Sequence, residues 1–240
     1  MGGSGMSSSM ASSHLSRVAK PRSGRAKVFL GRPHRAPVLL KRGAEAELRR
    51  IEFLGRAAVE KHRVPKAYRL GALDEELRRS RIRMEAKLMA EARAAGVAVP
   101  ILYDIDVFEN KIVMEFIDGP TAKEVLEAGG QRATRVARRI GRVVGRLHRA
   151  GIVHGDLTTS NMIVAGERIV MIDFSLGGKD DGVEARGVDL HLLREALTSA
   201  HRNAATYYRE VLSGYRQIMR RSSDAVIAKV KEIEARGRYT

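Results

Sequence analysis

The chain has 240 residues, 44% of them hydrophobic, enough to build one substantial core, and its 44 basic against 28 acidic residues leave a net charge of +16 that favours a polyanionic partner and salt-sensitive binding. A nucleic acid is such a polyanion, and with aromatics at only 5% the contact should run to phosphates rather than through stacked bases. The absence of cysteine excludes disulfides and thiolate metal sites, and the lack of a long apolar run or an apolar leader points to a cytoplasmic protein with no membrane segment.

From Met1 to Ala44 there are nine Lys or Arg residues and no acid, after a start of Gly, Ser and Met. Residues 1–36 therefore read as a basic arm, disordered up to about Arg25, ahead of a single folded unit over 37–240. Gly43-Ala44-Glu45-Ala46 follows, one glycine among small residues; it can be a plain turn, or a backbone cradle that lets phosphates approach closely. Ala57 to Lys61 is a short apolar run that reads as a strand ending on a lysine. A lone lysine there is ordinarily a surface residue.

Helical signals run from Asp74 to about Ala95: Asp74 is placed to cap, Glu75 and Glu76 suit the positive end of the dipole, and Gly96 then Pro100 end the pattern. Glu85, Leu88, Met89 and Ala92 fall on one stripe, so the Glu85 carboxylate faces inward. A buried charge needs a partner; Arg78 and Arg81 on the same helix are candidates, and Lys61 is the best one outside it. Lys111 to Gly119 reads as a strand ending in a turn between two lobes. Such a crossing strand can offer main-chain groups around Met114, Glu115 and Ile117 to an adenine edge. Thr134 to Arg149 forms the next helical pattern.

His154-Gly155-Asp156-Leu157-Thr158-Thr159-Ser160-Asn161, with Asp173-Phe174 beyond it, has the spacing of a kinase catalytic loop and its metal-binding partner. The intervening apolar runs Met162-Ile163-Val164 and Arg168-Ile169-Val170-Met171-Ile172, separated by Ala165-Gly166-Glu167, predict a hairpin whose open end brings Asn161 and Asp173 together beside Asp156. Three oxygen-bearing side chains in one volume suit magnesium, with phosphates and water completing its shell. Asp156 is then the group that accepts a proton from, or orients, the attacking hydroxyl, while Asn161 and Asp173 hold the ion; His154 is a structural hydrogen-bonder. Asp189 is expected to open a helix only 16 positions after Asp173, leaving no room for a peptide-gripping activation segment. An amphipathic helix around Val226 to Ile233 precedes a basic tail over 233–240, with Arg236-Gly237-Arg238.

Taken with Gly43 to Ala46, Lys61-His62-Arg63, Lys66-Ala67-Tyr68-Arg69, Leu73-Asp74, Arg81 to Ala86 and the Arg236-Gly237-Arg238 tail, the catalytic-loop ending Thr158-Thr159-Ser160-Asn161 resembles the small atypical kinase and ATPase subunit of the KEOPS complex, related to the p-fifty-three-related protein kinase. The resemblance implies an α+β, bilobal protein-kinase-like fold, with a small β-rich N-lobe over about 37–116 and a reduced, mainly helical C-lobe over about 117–232. It implies ATP and Mg2+ as cofactors, Lys61 on the phosphates with Glu85 as its anchor, Asp156 as catalytic acceptor, and Asn161 and Asp173 on the metal. It also implies as partners the metalloprotein that places a threonylcarbamoyl group on adenosine of transfer RNA and a small regulatory subunit, with Arg236 and Arg238 reaching toward partner or RNA. Two departures stand out: Ser175 replaces the usual glycine after Asp173-Phe174, stiffening that turn, and Ala185 to Asp189 lacks an acidic-basic pair. Small-molecule phosphotransferases of the aminoglycoside or choline type share some of these motifs, but only 67 residues follow Asp173, short for an alcohol-binding segment. A non-catalytic kinase-fold scaffold is the third reading, disfavoured by the full set of Lys61, Glu85, Asp156, Asn161 and Asp173.

Overall fold

A computed structural model describes Met1 and residues 36–43, 45–65 and 71–237. The expected arm before Ala36, Ala44, the Lys66 to Arg69 motif and Arg238 lie outside the described residues.

The N-terminal half is built on an antiparallel sheet of five strands, β1 (Val38–Arg42), β2 (Ala46–Phe53), β3 (Arg56–Arg63), β4 (Leu102–Asp106) and β5 (Lys111–Glu115), in the order β1-β2-β3-β5-β4. Leu54-Gly55 closes the β2–β3 hairpin with both residues at positive φ, the primed turn whose twist matches paired strands. The strand read as ending at Lys61 continues two residues to Arg63, and β5 stops at Glu115, so Ile117 lies beyond it.

Helix α1 (Gly71–Ala94) packs against this sheet through the predicted stripe: Ile82, Glu85, Leu88, Met89 and Ala92 are all buried. It starts before Asp74, which lies buried in the first turn and accepts from Arg78 Nε at 2.7 Å rather than capping from outside. After α1 the chain is fastened to the other half of the molecule, where Met171 N–H donates to the Ala98 carbonyl at 2.9 Å.

The C-terminal half is mainly helical: α2 (Ala122–Ala128), α3 (Gly130–Arg149), α4 (Val183–Ala200), α5 (Ala204–Met219) and α6 (Ser222–Gly237). A capping box starts α2, with Glu124 N–H donating to Thr121 Oγ1 at 3.2 Å and Thr121 N–H to Glu124 Oε2 at 2.7 Å; the sequence pattern Thr-x-x-Glu carries that signal. Helices α3 and α5 meet backbone to backbone. A methyl added at Gly141 would lie 1.9 Å from the Val211 carbonyl, and one at Gly214 would lie 2.0 Å from the Arg138 carbonyl, so only glycine permits this approach.

Two short antiparallel pairings complete the fold. Strands β6 (Ile152–Val153) and β9 (Gly178–Lys179) pair, and β7 (Met162–Ala165) pairs with β8 (Arg168–Met171) as the predicted hairpin, turning at Gly166. One hydrophobic cluster runs from Ile82 and Met114 through Ile140, Leu147, Met162 and Phe174 to Leu193 and Tyr215, joining sheet and helices in one core. The result is the α+β arrangement expected, β-rich first and helical after.

Two boundaries differ from expectation. Helix α4 begins at Val183, six residues before Asp189, so Asp189 sits inside the helix and is buried. Helix α6 reaches Gly237, so the residues expected as a tail from 233 are helical that far. Among the described residues, no helix is long and apolar enough to cross a membrane.

Candidate active site

Strand alternation puts Lys61 and Arg63 on one face of β3, turned toward α1. Both are buried, at 4% and 1% exposure, and Glu85 beside them is at 1%. Lys61 Nζ donates to Glu85 Oε1 at 2.6 Å, and Arg63 Nη2 donates to Glu85 Oε2 at 2.8 Å. Each oxygen of the buried carboxylate therefore carries its own cation. Arg78 and Arg81 are engaged elsewhere: Arg78 on Asp74, and Arg81 Nη1 on Glu45 Oε2 at 2.5 Å.

The same ammonium reaches into the C-terminal half. Lys61 Nζ donates to Asp173 Oδ1 at 2.7 Å and to Ser175 Oγ at 2.8 Å, and Arg63 Nη2 reaches Ser175 Oγ at 2.9 Å. The Ser175 hydroxyl in turn donates to Asp173 Oδ1. Two cations thus face two carboxylates, which is the condition under which buried charges persist. Burial pushes the Asp173 carboxyl upward, but the Lys61 ammonium and the two Ser175 donors outweigh it and hold the pKa at about 2. Asp173 adopts φ 64, a left-handed conformation uncommon outside glycine, which the bonds from Lys61 and Ser175 hold in place.

Asp156 and Asn161 are tied to one another. Asn161 Nδ2 donates to Asp156 Oδ2 at 2.8 Å and to the Asp156 carbonyl at 3.0 Å, leaving Asn161 Oδ1 as the amide's acceptor. Ile172 N–H donates to the Asn161 carbonyl at 3.0 Å, closing the open end of the β7–β8 hairpin and setting Asp173 next to the loop. The structure thus brings together Lys61, Glu85 and Asp173 by direct contact, and Asp156 and Asn161 at the hairpin mouth beside them. Among the described residues, no three His, Cys, Asp or Glu side chains gather to hold a metal; the oxygen donors at the mouth are carboxylates and one amide.

The backbone of the His154–Asn161 loop is held from below by residues that no sequence motif announces. Asp189 Oδ2 accepts from His154 N–H at 2.6 Å and lies 3.2 Å from His148 Nε2, while Asp189 Oδ1 accepts from Gly155 N–H at 2.8 Å. His148 Nδ1 lies 2.9 Å from the Tyr215 hydroxyl, extending the chain of contacts to α5. Burial raises the Asp189 carboxyl, yet His148 and the two amides bring it below the ordinary carboxylate range. Asp189, Leu193 and Leu197 lie four apart on the buried face of α4, the pattern that singled out Glu85. Gly155 has φ 76, and an added methyl would lie 2.1 Å from the Leu176 carbonyl, so the loop and the Asp173 turn touch through backbone. The His154 ring packs on Phe174 at 4.7 Å between centroids, and its Nε2 lies 3.0 Å from the Ile172 carbonyl, a structural role as expected.

The remaining candidates are more dispersed. Gly43 N–H donates to the Ala46 carbonyl at 2.9 Å, making the β1–β2 turn, while the Glu45 carboxylate turns to Arg81 and Arg63. Met114 is buried in β5; Glu115 N–H is used by the Ile101 carbonyl at 2.8 Å, so only its carbonyl side faces a ligand role. Arg236 lies exposed on the last turn of α6, 3.5 Å from Glu184 of α4.

A RIO domain matches residues 74–177, from the first turn of α1 through Glu85, the catalytic loop and Asp173, though not Lys61. The chain is also 42% identical over 210 residues to the KEOPS complex subunit Bud32 of Pyrococcus abyssi, covering 84% of this chain and 96% of that protein. The chain belongs to the Bud32 family. A probable serine/threonine-protein kinase BUD32 homolog of Archaeoglobus fulgidus is likewise 42% identical over 197 residues, covering 82% of this chain and 94% of its own length. A probable bifunctional tRNA threonylcarbamoyladenosine biosynthesis protein of Methanosarcina barkeri is 45% identical over 206 residues, 84% of this chain. This Bud32-family chain spans 35% of that bifunctional protein, little more than a third of its length. Glu85 and the loop from His154 to Asn161 fall inside the span that matches a RIO domain, and Lys61 joins them from β3 through its contact with Glu85.

Proposed function

We propose that this protein is a Mg-ATP-dependent ATPase and atypical serine/threonine kinase that works as a KEOPS-type subunit in support of threonylcarbamoyl modification of adenosine in transfer RNA. The observation that carries the proposal is the ammonium of Lys61, buried between Glu85 and Asp173 at 2.6 and 2.7 Å, next to the hydrogen-bonded Asp156 and Asn161. A buried lysine with a dedicated carboxylate anchor is arranged to bind phosphate oxygens. The donor set suits magnesium, which takes few protein oxygens beside phosphates and water: Asp173, held ionised by its low pKa, and Asn161 Oδ1 would hold it. When bound, the ion neutralises charge building on the phosphates.

The chain's own groups divide the remaining work. Lys61 orients the phosphates and Glu85 keeps its ammonium from turning away. Asp156, with one oxygen fixed by Asn161, presents the other to an attacking water or hydroxyl and accepts its proton. Gly43, Glu45 and Ala46 lie in the turn that would cover the phosphates, a role the sequence also gives to Ala44, and Met114, the Glu115 carbonyl and Ile117 would line the base. The names of the Pyrococcus and Methanosarcina relatives, a KEOPS complex subunit and a tRNA threonylcarbamoyladenosine biosynthesis protein, support a role inside a complex that serves this modification. The partners in this reading are a modifying metalloprotein, a small regulatory subunit and transfer RNA, with Arg236 and Arg238 as contact residues.

The test is ATP turnover by Lys61→Ala and Asp156→Ala, each checked for folding by thermal melt. Both should lose two or more orders of magnitude, about 3 kcal/mol of transition-state stabilisation. Unchanged turnover in both would remove the assignment.

A further inference from the structure

Three arginines from three separate helix ends face one hollow in the C-terminal half. Arg149 closes α3, Arg186 lies in the first turn of α4 and Arg220 links α5 to α6; with Ile218, Met219 and Ser222 they line a volume of about 520 Å³. That lining contains no carboxylate. Among the described residues none of the three forms an ion pair, whereas Arg138 and Arg139 of α3 are matched by Glu210 and Glu167. Asp180 and Asp181 line an adjoining hollow that shares Arg149 and Arg186, but neither pairs with them, and Asp180 instead accepts from Gly182 N–H at 2.7 Å.

Two further observations mark the hollow as a built site. Arg186 Nε is buried and has no hydrogen-bond partner among the described residues, none of which offsets its desolvation. Arg220 holds φ 53 and ψ −130, a backbone conformation that suits glycine, yet an arginine stands there. Its carbonyl is locked by Ser223, which donates from N–H at 3.1 Å and from Oγ at 2.5 Å. Three like charges and one orphan donor are relieved by an anion bound between the guanidinium groups, beside the positive end of α6, and the strained backbone at Arg220 holds its side chain at that spot.

We propose that this hollow binds phosphate, and that the phosphate is supplied by an RNA backbone. Guanidinium forks match phosphate oxygens, Arg149 and Arg220 are exposed to an extended ligand, and the net charge of +16 draws a polyanion rather than a lone ion. The site is independent of ATP turnover. Should the wild-type protein prove unable to hydrolyse ATP, the functional reading above would fail and this one would stand.

The experiment uses the full chain and fluorescently labelled transfer RNA, read by anisotropy across a salt series. Arg220→Gly removes the charge while allowing the backbone conformation, so the variant keeps its fold; Arg186→Gln fills the same space without charge. Each should weaken binding about five- to twentyfold and reduce the slope of log affinity against log salt by roughly 0.7 to 0.9, with ATP hydrolysis unchanged. Arg132→Ala, at the opposite end of α3 and about 25 Å from Arg149, should cost twofold or less. Equal losses from Arg132→Ala would reduce the effect to net charge and overturn the site, as would wild-type affinity in both hollow variants. Inorganic phosphate competing at micromolar concentration, or a phosphoserine peptide binding more tightly than the RNA, would overturn RNA as the occupant.

Discussion

Replacing Asp189 by asparagine tests how the catalytic loop is held. The carboxylate is 1% exposed and accepts from the amides of His154 and Gly155 at 2.6 and 2.8 Å, with His148 Nε2 at 3.2 Å on the first of these oxygens. Asparagine preserves the shape but turns one oxygen into an N–H donor, so one backbone amide loses a charge-assisted bond and faces another donor in a buried space. A lost bond to a charged group is worth about 1.5–3 kcal/mol and a stranded donor about 1–3, overlapping costs that together give roughly 2–4 kcal/mol. With a urea m-value of about 2 kcal/mol/M, the denaturation midpoint should fall by about 1–2 M. Because the folded pKa of Asp189 is depressed, its stabilisation is complete above the unfolded carboxyl value near 4 and drains away as pH falls through the lower folded value. The gap between wild type and Asp189→Asn should therefore be level from about pH 5 to 8 and narrow only in more acid solution. A midpoint shift below about 0.3 M at neutral pH would show that Asp189 does not carry the loop.

Two other outcomes follow from the packing and from the buried charge cluster. Gly214→Ala places a methyl 2.0 Å from the Arg138 carbonyl and must part α3 from α5, costing about 1–3 kcal/mol and lowering Tm by several degrees, while Gly71→Ala, which meets open space, should leave Tm level or raise it. Ser175→Gly removes a hydroxyl that donates to Asp173 and accepts from Lys61 and Arg63, freeing the carboxylate; a magnesium titration of ATP turnover should show half-saturation about two- to tenfold lower, and an unchanged or higher value would refute the clamp.

What the sequence makes legible here is local. The eight residues from His154 to Asn161 carry their own spacing, and the apolar runs around Gly166 announce the hairpin that sets Asp173 beside them. Glu85 is legible because an acid on an apolar helical stripe must find a cation, and Lys61 is where that cation stands. Arg63 was not legible as a second cation: two residues past an expected strand end, it looks like a surface residue until β3 proves to continue and turns it inward. Asp189 was misplaced for a different reason. An acid that could start a helix competes with an acid buried within one, and six residues of α4 ahead of it, beginning after Gly182, offer little apolar pattern to mark the true start. The linkage from Asp189 through His148 to Tyr215 depends on three distant segments meeting, which no single stretch encodes.

The fastening of Ala98 to Met171 has a mechanical consequence. It ties the stretch just after α1 to the hairpin that leads into Asp173, making that stitch a natural pivot for a tilt of the helix. With Glu85 on the order of 15 Å from the pivot, a rotation of about 5° moves its carboxylate by about 1 Å. That displacement would stretch the 2.6 Å Lys61–Glu85 contact to roughly 3.6 Å, past hydrogen-bond length though within ion-pair range, so the strength of the pair follows the tilt of α1.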